Sequence, residues 1–169
     1  MSDPISCSAL ALDLGRRRIG LAGCDPLGLT VTPLPALQRG SFPEEVAVVA
    51  ALVRRRQART LVIGLPLDAQ QQTTRQAEHC RRYGLRLARS LAQQGLCLPL
   101  AWVNEHGSTW QAGERFGCHG DRSGRLDSAA AALLLEQWLR EGSLAQPRRP
   151  QLHPPGDPQR SANPHPGPS

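Results

Sequence analysis

The chain contains no lysine: all 20 of its basic residues are arginine. Aromatics are also scarce, at 4% of 169 residues, which excludes a surface of stacked rings reading successive bases of a single strand. Trp110 is the best placed of the three tryptophans to stack on a base, whereas Trp102 and Trp138 suit the core. The five cysteines include no CxxC pair, and their odd number argues against a disulfide framework and against a thiolate zinc site. They read instead as small buried hydrophobes of a reducing compartment. No apolar run approaches membrane-spanning length, and no basic segment leads into a signal-type run near Met1. These absences predict a soluble, cytoplasmic protein.

What is present is one domain's worth of sequence with a formal charge of +6 and a pI near 9.9. Arginine's planar fork suits phosphate oxygens, so a polyanionic partner fits, although genome composition explains the missing lysine equally well.

Ala9–Leu12 is a short apolar run ending at Asp13, followed by Gly15, the triplet Arg16–Arg18, and a second run from Ile19 to Cys24. The pattern predicts a β-hairpin with a basic turn, its first strand bringing a carboxylate to a buried layer. Asp25–Gly28 reads as a turn, and Leu29–Leu37, with Pro33 and Pro35, as an edge strand. Glu44–Arg59 reads as a helix with Ser41 as a candidate cap and Val46, Val49, Ala50 and Val53 as its apolar stripe. Thr60–Leu65 is apolar throughout, as a central strand covered on both faces would be. The Gln-rich loop Asp68–Thr73 precedes a helix over Thr74–Gln94, with Ala77, Leu85, Ala88 and Leu91 inward and Gly84 as a weak point. A strand over Leu96–Val103, a short helix over Ser108–Phe116, a glycine-rich loop and a closing helix over Asp127–Glu141 complete the pattern. Beyond Gly142 the chain is rich in proline, so residues 7–142 are predicted as one domain and 143–169 as a disordered tail.

Strands followed by alternating helix and strand predict an α/β layered domain, with acids at several strand ends: Asp13, Asp68, Glu105, and Asp127 at the last helix. Carboxylates brought together cannot all stay ionised without a cation, and Mg²⁺ or Mn²⁺ suits oxygen ligands without needing His or Cys. Such ions can hold a phosphodiester and activate water. Each acid also has a plainer account. Asp13 could cap its turn, Glu105 could be an exposed strand-end acid, and Asp127 could cap its helix. Asp68 reads as a loop residue satisfying nearby backbone, and His106 and His119 as surface residues.

The motifs DLGRRRIGLA (Asp13–Ala22), VIGLPLD (Val62–Asp68), NEHGST (Asn104–Thr109) and RLDSAAAALLLEQWL (Arg125–Leu139) occur in this order. Together they resemble the YqgF family, also called RuvX: RNase H-like proteins related to Holliday junction resolvases and regarded as candidate pre-16S rRNA nucleases. The resemblance implies an RNase H-like fold, a mixed five-stranded sheet flanked by helices. It also implies catalytic, metal-binding acids at Asp13, Glu105 and Asp127, and metal-dependent hydrolysis at the 5′ end of 16S rRNA. Arg16, Arg17, Arg18 and Arg125, lying beside those acids in the motifs, are the candidate nucleic-acid contacts. The family usually has Asp-Glu-Arg where this chain has Asn104, Glu105 and His106, and an Asn and a Gly where this loop has Asp68 and glutamines. The loop before Asp127 is short by the same comparison. These departures describe a divergent member with reduced or lost activity, in which Asp68 partly compensates for Asn104. Two other readings stay open: a structure-specific DNA resolvase, and a non-catalytic module binding RNA or ribosomal particles. An actin-like ATPase needs two such domains and is set aside.

Overall fold

The computed structural model describes residues 7–105 and 124–142. In chain order these form β1 (Ala9–Leu14), β2 (Arg18–Cys24), β3 (Val31–Gln38), α1 (Phe42–Arg56), β4 (Thr60–Leu65), α2 (Arg75–Ala92), β5 (Leu100–Asn104) and α3 (Arg125–Glu141). The sheet order is β3-β2-β1-β4-β5. β1–β2 and β2–β3 are antiparallel; β1–β4 and β4–β5 are parallel. Pro33 and Pro35 fall on the edge strand β3, where a missing N–H donor costs the sheet least. Among the described residues, no helix is long and apolar enough to cross a membrane.

Side-chain alternation sorts the sheet into two faces. Leu10, Leu12, Leu14, Leu61, Ile63, Leu65 and Trp102 pack with α1 and α2 on one side. Ala9, Ala11, Val62, Ala101 and Val103 meet Ala131, Ala132, Leu134 and Leu135 of α3 on the other. The second face is built largely of alanine, so α3 can lie close to the sheet. By the same alternation, Asp13 and Glu105 belong to the α3 side.

Local signals fix where the helices start. Ser41 and Glu44 form a capping box on α1, with the Ser41 amide donating to Glu44 Oε2 at 2.9 Å. Thr74 Oγ1 accepts from the Ala77 amide at 3.0 Å and donates to the Pro66 carbonyl at 2.6 Å, tying the start of α2 to the end of β4. The stripe Val46, Val49, Ala50 and Val53 is buried as expected.

Three expectations need correction. The inward face of α2 is Ala77, Cys80, Gly84, Leu87 and Leu91, whereas Leu85 is 48% exposed. Gly84 is a packing point rather than a weak one: a Cβ there would lie 2.5 Å from Ile63 Cδ1 and 2.9 Å from Trp102 Cη2. β5 begins at Leu100, because the Leu96 amide is engaged with the Leu91 carbonyl in the turn that ends α2. The helix over 108–116 with Trp110, the glycine-rich loop before its last residue Gly124, His106, His119 and the tail lie outside the described residues.

Candidate active site

Asp13 lies within β1 as its fifth residue, 7% exposed, and pairs across the hairpin with Gly20. It therefore does not cap the turn. That turn is closed by Gly15, whose amide donates to the Arg18 carbonyl at 3.0 Å. Glu105 follows β5 directly, its amide donating to the Leu65 carbonyl at 3.0 Å. β4 lies between these two strands, yet the carboxyl groups of Asp13 and Glu105 come close enough to interact directly. Gly64 makes this possible. A Cβ at Gly64 would lie 2.9 Å from Glu105 Oε2 and 2.7 Å from Leu134 Cδ1, so the absent side chain is the space that Glu105 crosses.

Gly20 plays the matching part on the other side of β1. A Cβ there would collide with the main-chain carbonyl of Asp127, so the first turn of α3 rests directly on the β2 backbone. Ser128 Oγ accepts from the Leu21 amide at 3.3 Å and secures that contact. The helix cap is Gly124, which places Asp127 in the first turn rather than at the capping position. There a carboxylate also suits the positive end of the helix dipole.

The electrostatics follow from burial and crowding. Burial, then the charge and hydrogen bond of Glu105, then the charge of Asp127, raise Asp13 well above the ordinary carboxylate range. Burial also raises Glu105, while its hydrogen bond with Asp13 pulls the other way. Asp127 is raised by burial and lowered by Arg18. Burial and mutual proximity thus disfavour ionising both Asp13 and Glu105 unless a cation joins them. Asp127 joins the pair through its charge. Among the described residues, no three His, Cys, Asp or Glu side chains are already closed around one metal position. The donor set is nonetheless all oxygen, and burial disfavours its negative charge, which suits a hard divalent ion.

Arg16 and Arg17 are exposed at the hairpin tip, Arg18 is half-buried beside Asp127, and Arg125 is exposed at the start of α3. Asp68 is confined to its own loop, where Oδ1 accepts from the Gln70 and Gln72 amides at 3.0 and 2.7 Å. Asn104 Nδ2 donates to Gln71 Oε1 at 2.9 Å, so this substituted position holds the loop beside Glu105. Nothing in that arrangement gives Asp68 the compensating role the sequence suggested.

A buried clamp that sequence reasoning missed steadies the hairpin. Arg39 donates through Nε to Glu45 Oε1 at 2.7 Å and through Nη1 to the Gly15 carbonyl at 3.0 Å. Tyr83 OH donates to Glu45 Oε2 at 2.7 Å, and the Gly40 amide to Oε1 at 3.2 Å. The signal available for Gly20 and Gly64 was a glycine inside an apolar strand, which marks close approach by another group.

Residues 7–141 match the family model RuvX, described as Holliday junction resolvase. The chain belongs to the RuvX family. A relative from Synechococcus sp. (strain CC9902), named "Putative pre-16S rRNA nuclease", is 65% identical over 144 residues, covering 85% of each chain. Another of that name, from Prochlorococcus marinus (strain MIT 9313), is 59% identical over 151 residues, covering 89% of this chain and 91% of its own. Among solved structures, T. thermophilus RuvC in complex with Holliday junction substrate aligns with a TM-score of 0.51 at 14% identity. That match covers 80% of this chain and 97% of RuvC. At that identity it is a likeness of fold alone, and it supports the RNase H-like architecture expected for RuvX.

Proposed function

We propose that this RuvX chain is a divalent-metal-dependent nuclease that hydrolyses phosphodiester bonds at the 5′ end of pre-16S rRNA, in the cytoplasm. RNA, free or in ribosomal particles, is the proposed partner. The observation that carries the reading is the close approach of the buried Asp13 and Glu105 carboxyls beside Asp127, an all-oxygen set in which burial disfavours negative charge. Relatives 65% identical that bear the pre-16S rRNA nuclease name favour RNA as the substrate.

In this mechanism Asp13, Glu105 and Asp127 would hold Mg²⁺ or Mn²⁺, whose charge would favour the ionised carboxylates that burial disfavours. The ions, once held, supply the charge that activates water and steadies the leaving oxygen. The burial that raises Asp13 also keeps bulk water away from the reacting phosphate. Gly64 keeps Glu105 within reach of Asp13, and the contact of α3 with Gly20 fixes Asp127. Arg16, Arg17, Arg18 and Arg125 orient the phosphates on either side of the cut.

Asp13→Asn should abolish Mg²⁺- or Mn²⁺-dependent cleavage of a pre-16S 5′ leader. Cleavage persisting at the wild-type rate would remove the assignment. The RuvC likeness and the family description favour a second reading, a DNA junction resolvase. Cleavage of four-way DNA junctions in preference to the leader RNA would select it.

A further inference from the structure

We propose that the outer face of α2 is a second RNA-contact surface, one that carries the phosphate backbone of the substrate strand away from the acids. The inference rests on the nuclease reading and extends it to a helix that contributes no acid to the site.

Arg75, His79, Arg82, Arg86 and Arg89 are all exposed. At about 100° per residue they fall within one stripe of the helix, directly opposite its buried face of Cys80, Gly84, Leu87 and Leu91. The stripe spans about 21 Å at 1.5 Å per residue, enough to meet several successive phosphates. Glu78, on the flank of the stripe, is the helix's one acid. Among the described residues, Arg75, Arg82 and Arg89 have no ion-pair partner, so their charge faces outward unneutralised. Arg86 is stacked over the Phe42 ring at 3.8 Å, which holds its guanidinium in place.

The stripe is continuous with the catalytic end of the sheet. A cleft of about 360 Å³ joins His79 and Gln76 of α2 to Arg16 and Gly15 of the hairpin tip, with Arg39 and Gly40 between them. Arg39 is fixed there by Glu45 and the Gly15 carbonyl. Asp13 lies on the opposite, α3 side of the sheet, so a strand cut there would round the hairpin tip at Arg16 before meeting Arg39 and His79 and then the arginines of α2. Contacts of this kind read charge and spacing rather than sequence, which fits the scarcity of aromatics.

The test is anisotropy with a labelled pre-16S leader RNA, in an Asp13→Asn background so that nothing is cut, over a range of salt concentrations. Replacing Arg82 and Arg89 together by Ala should lower the slope of log K against log salt by about 1.4, at roughly 0.7 per lost single-strand phosphate contact. Arg82→Lys with Arg89→Lys should restore most of the slope, because the charge is kept. An unchanged slope and affinity in the Ala pair would overturn the proposal, as would loss of duplex DNA binding with RNA binding intact. Binding is read without catalysis, so a wild-type chain that fails to cleave RNA would sink the nuclease reading and leave this surface to stand or fall separately.

Discussion

The carboxyl groups of Asp13 and Glu105 interact across a strand that belongs to neither of them. Strands in a sheet lie about 4.8 Å apart, so side chains two strands apart meet only when the intervening position is empty. Gly64 is that empty position, and Gly20 leaves the equivalent space on the far side of β1. The site is therefore made as much by two missing side chains as by three acids.

Gly64→Ala tests this directly. Its methyl would press on Glu105 Oε2 and Leu134 Cδ1, at 2.9 and 2.7 Å before any relaxation. Overpacking of this kind costs about 1–3 kcal/mol. Displacing Glu105 by an ångström should lower kcat by about 100-fold. Urea unfolding and cleavage kinetics on one preparation should show both losses together. A variant as stable and active as the wild type would show that the gap has no role.

Asp13→Asn should stabilise the protein while abolishing activity. Because the folded-state pKa of Asp13 is raised, its contribution is fully present at acidic pH and is lost as pH rises through that raised value. The wild type should therefore lose stability towards neutral and alkaline pH, whereas the Asn variant should not lose that part. Thermal unfolding at pH 8 should favour the variant by about 0.5–2 kcal/mol, the usual scale when a strained functional group is relieved. The difference should shrink as pH falls towards 4.

Tyr83→Phe should cost about 1–3 kcal/mol, because it leaves buried Glu45 Oε2 short of the donor it now has at 2.7 Å. Loosening Glu45 also loosens Arg39, which holds the hairpin tip at the Gly15 carbonyl. Denaturant unfolding reads the stability loss, and weaker RNA binding without a change in metal affinity would locate the remaining effect at the tip.

Thiol labelling should separate Cys97 from Cys80. Cys97 is exposed, whereas Cys80 is fully buried, its pKa pushed up to about 12 by burial and by the nearby charges of Glu105 and Asp13. At pH 8 in the native state Cys97 should react promptly, and Cys80 only at the rate of unfolding. Equal rates at the two sites would contradict the packing of α2 on the sheet.

The hairpin, the buried strand Thr60–Leu65 and the stripe of α1 were legible in the sequence because their periodicity and punctuation agree. The face of α2 was misread because Leu85 looks like core, while the residue that the sheet actually admits is Gly84, whose lack of a side chain lets Ile63 and Trp102 come close. The acids could be nominated from strand ends and from the family motifs, but their meeting could not. It depends on Gly20 and Gly64, which look like flaws in two strands until a helix and a carboxylate are seen to occupy the space. The clamp of Arg39, Glu45 and Tyr83 was hidden for another reason: it joins residues from three separate segments, and no local pattern announces it.

Calorimetric titration of Mn²⁺ into the full chain and into its Asp13→Asn and Glu105→Gln variants tests the central claim most directly. The wild type should bind the ion with release of protons, more weakly as pH falls, because burial raises Asp13 and Glu105 and their ligating form is the ionised one. Both variants should lose that binding. A wild type that takes up no Mn²⁺, or an Asp13→Asn chain that binds it equally well, would contradict the account.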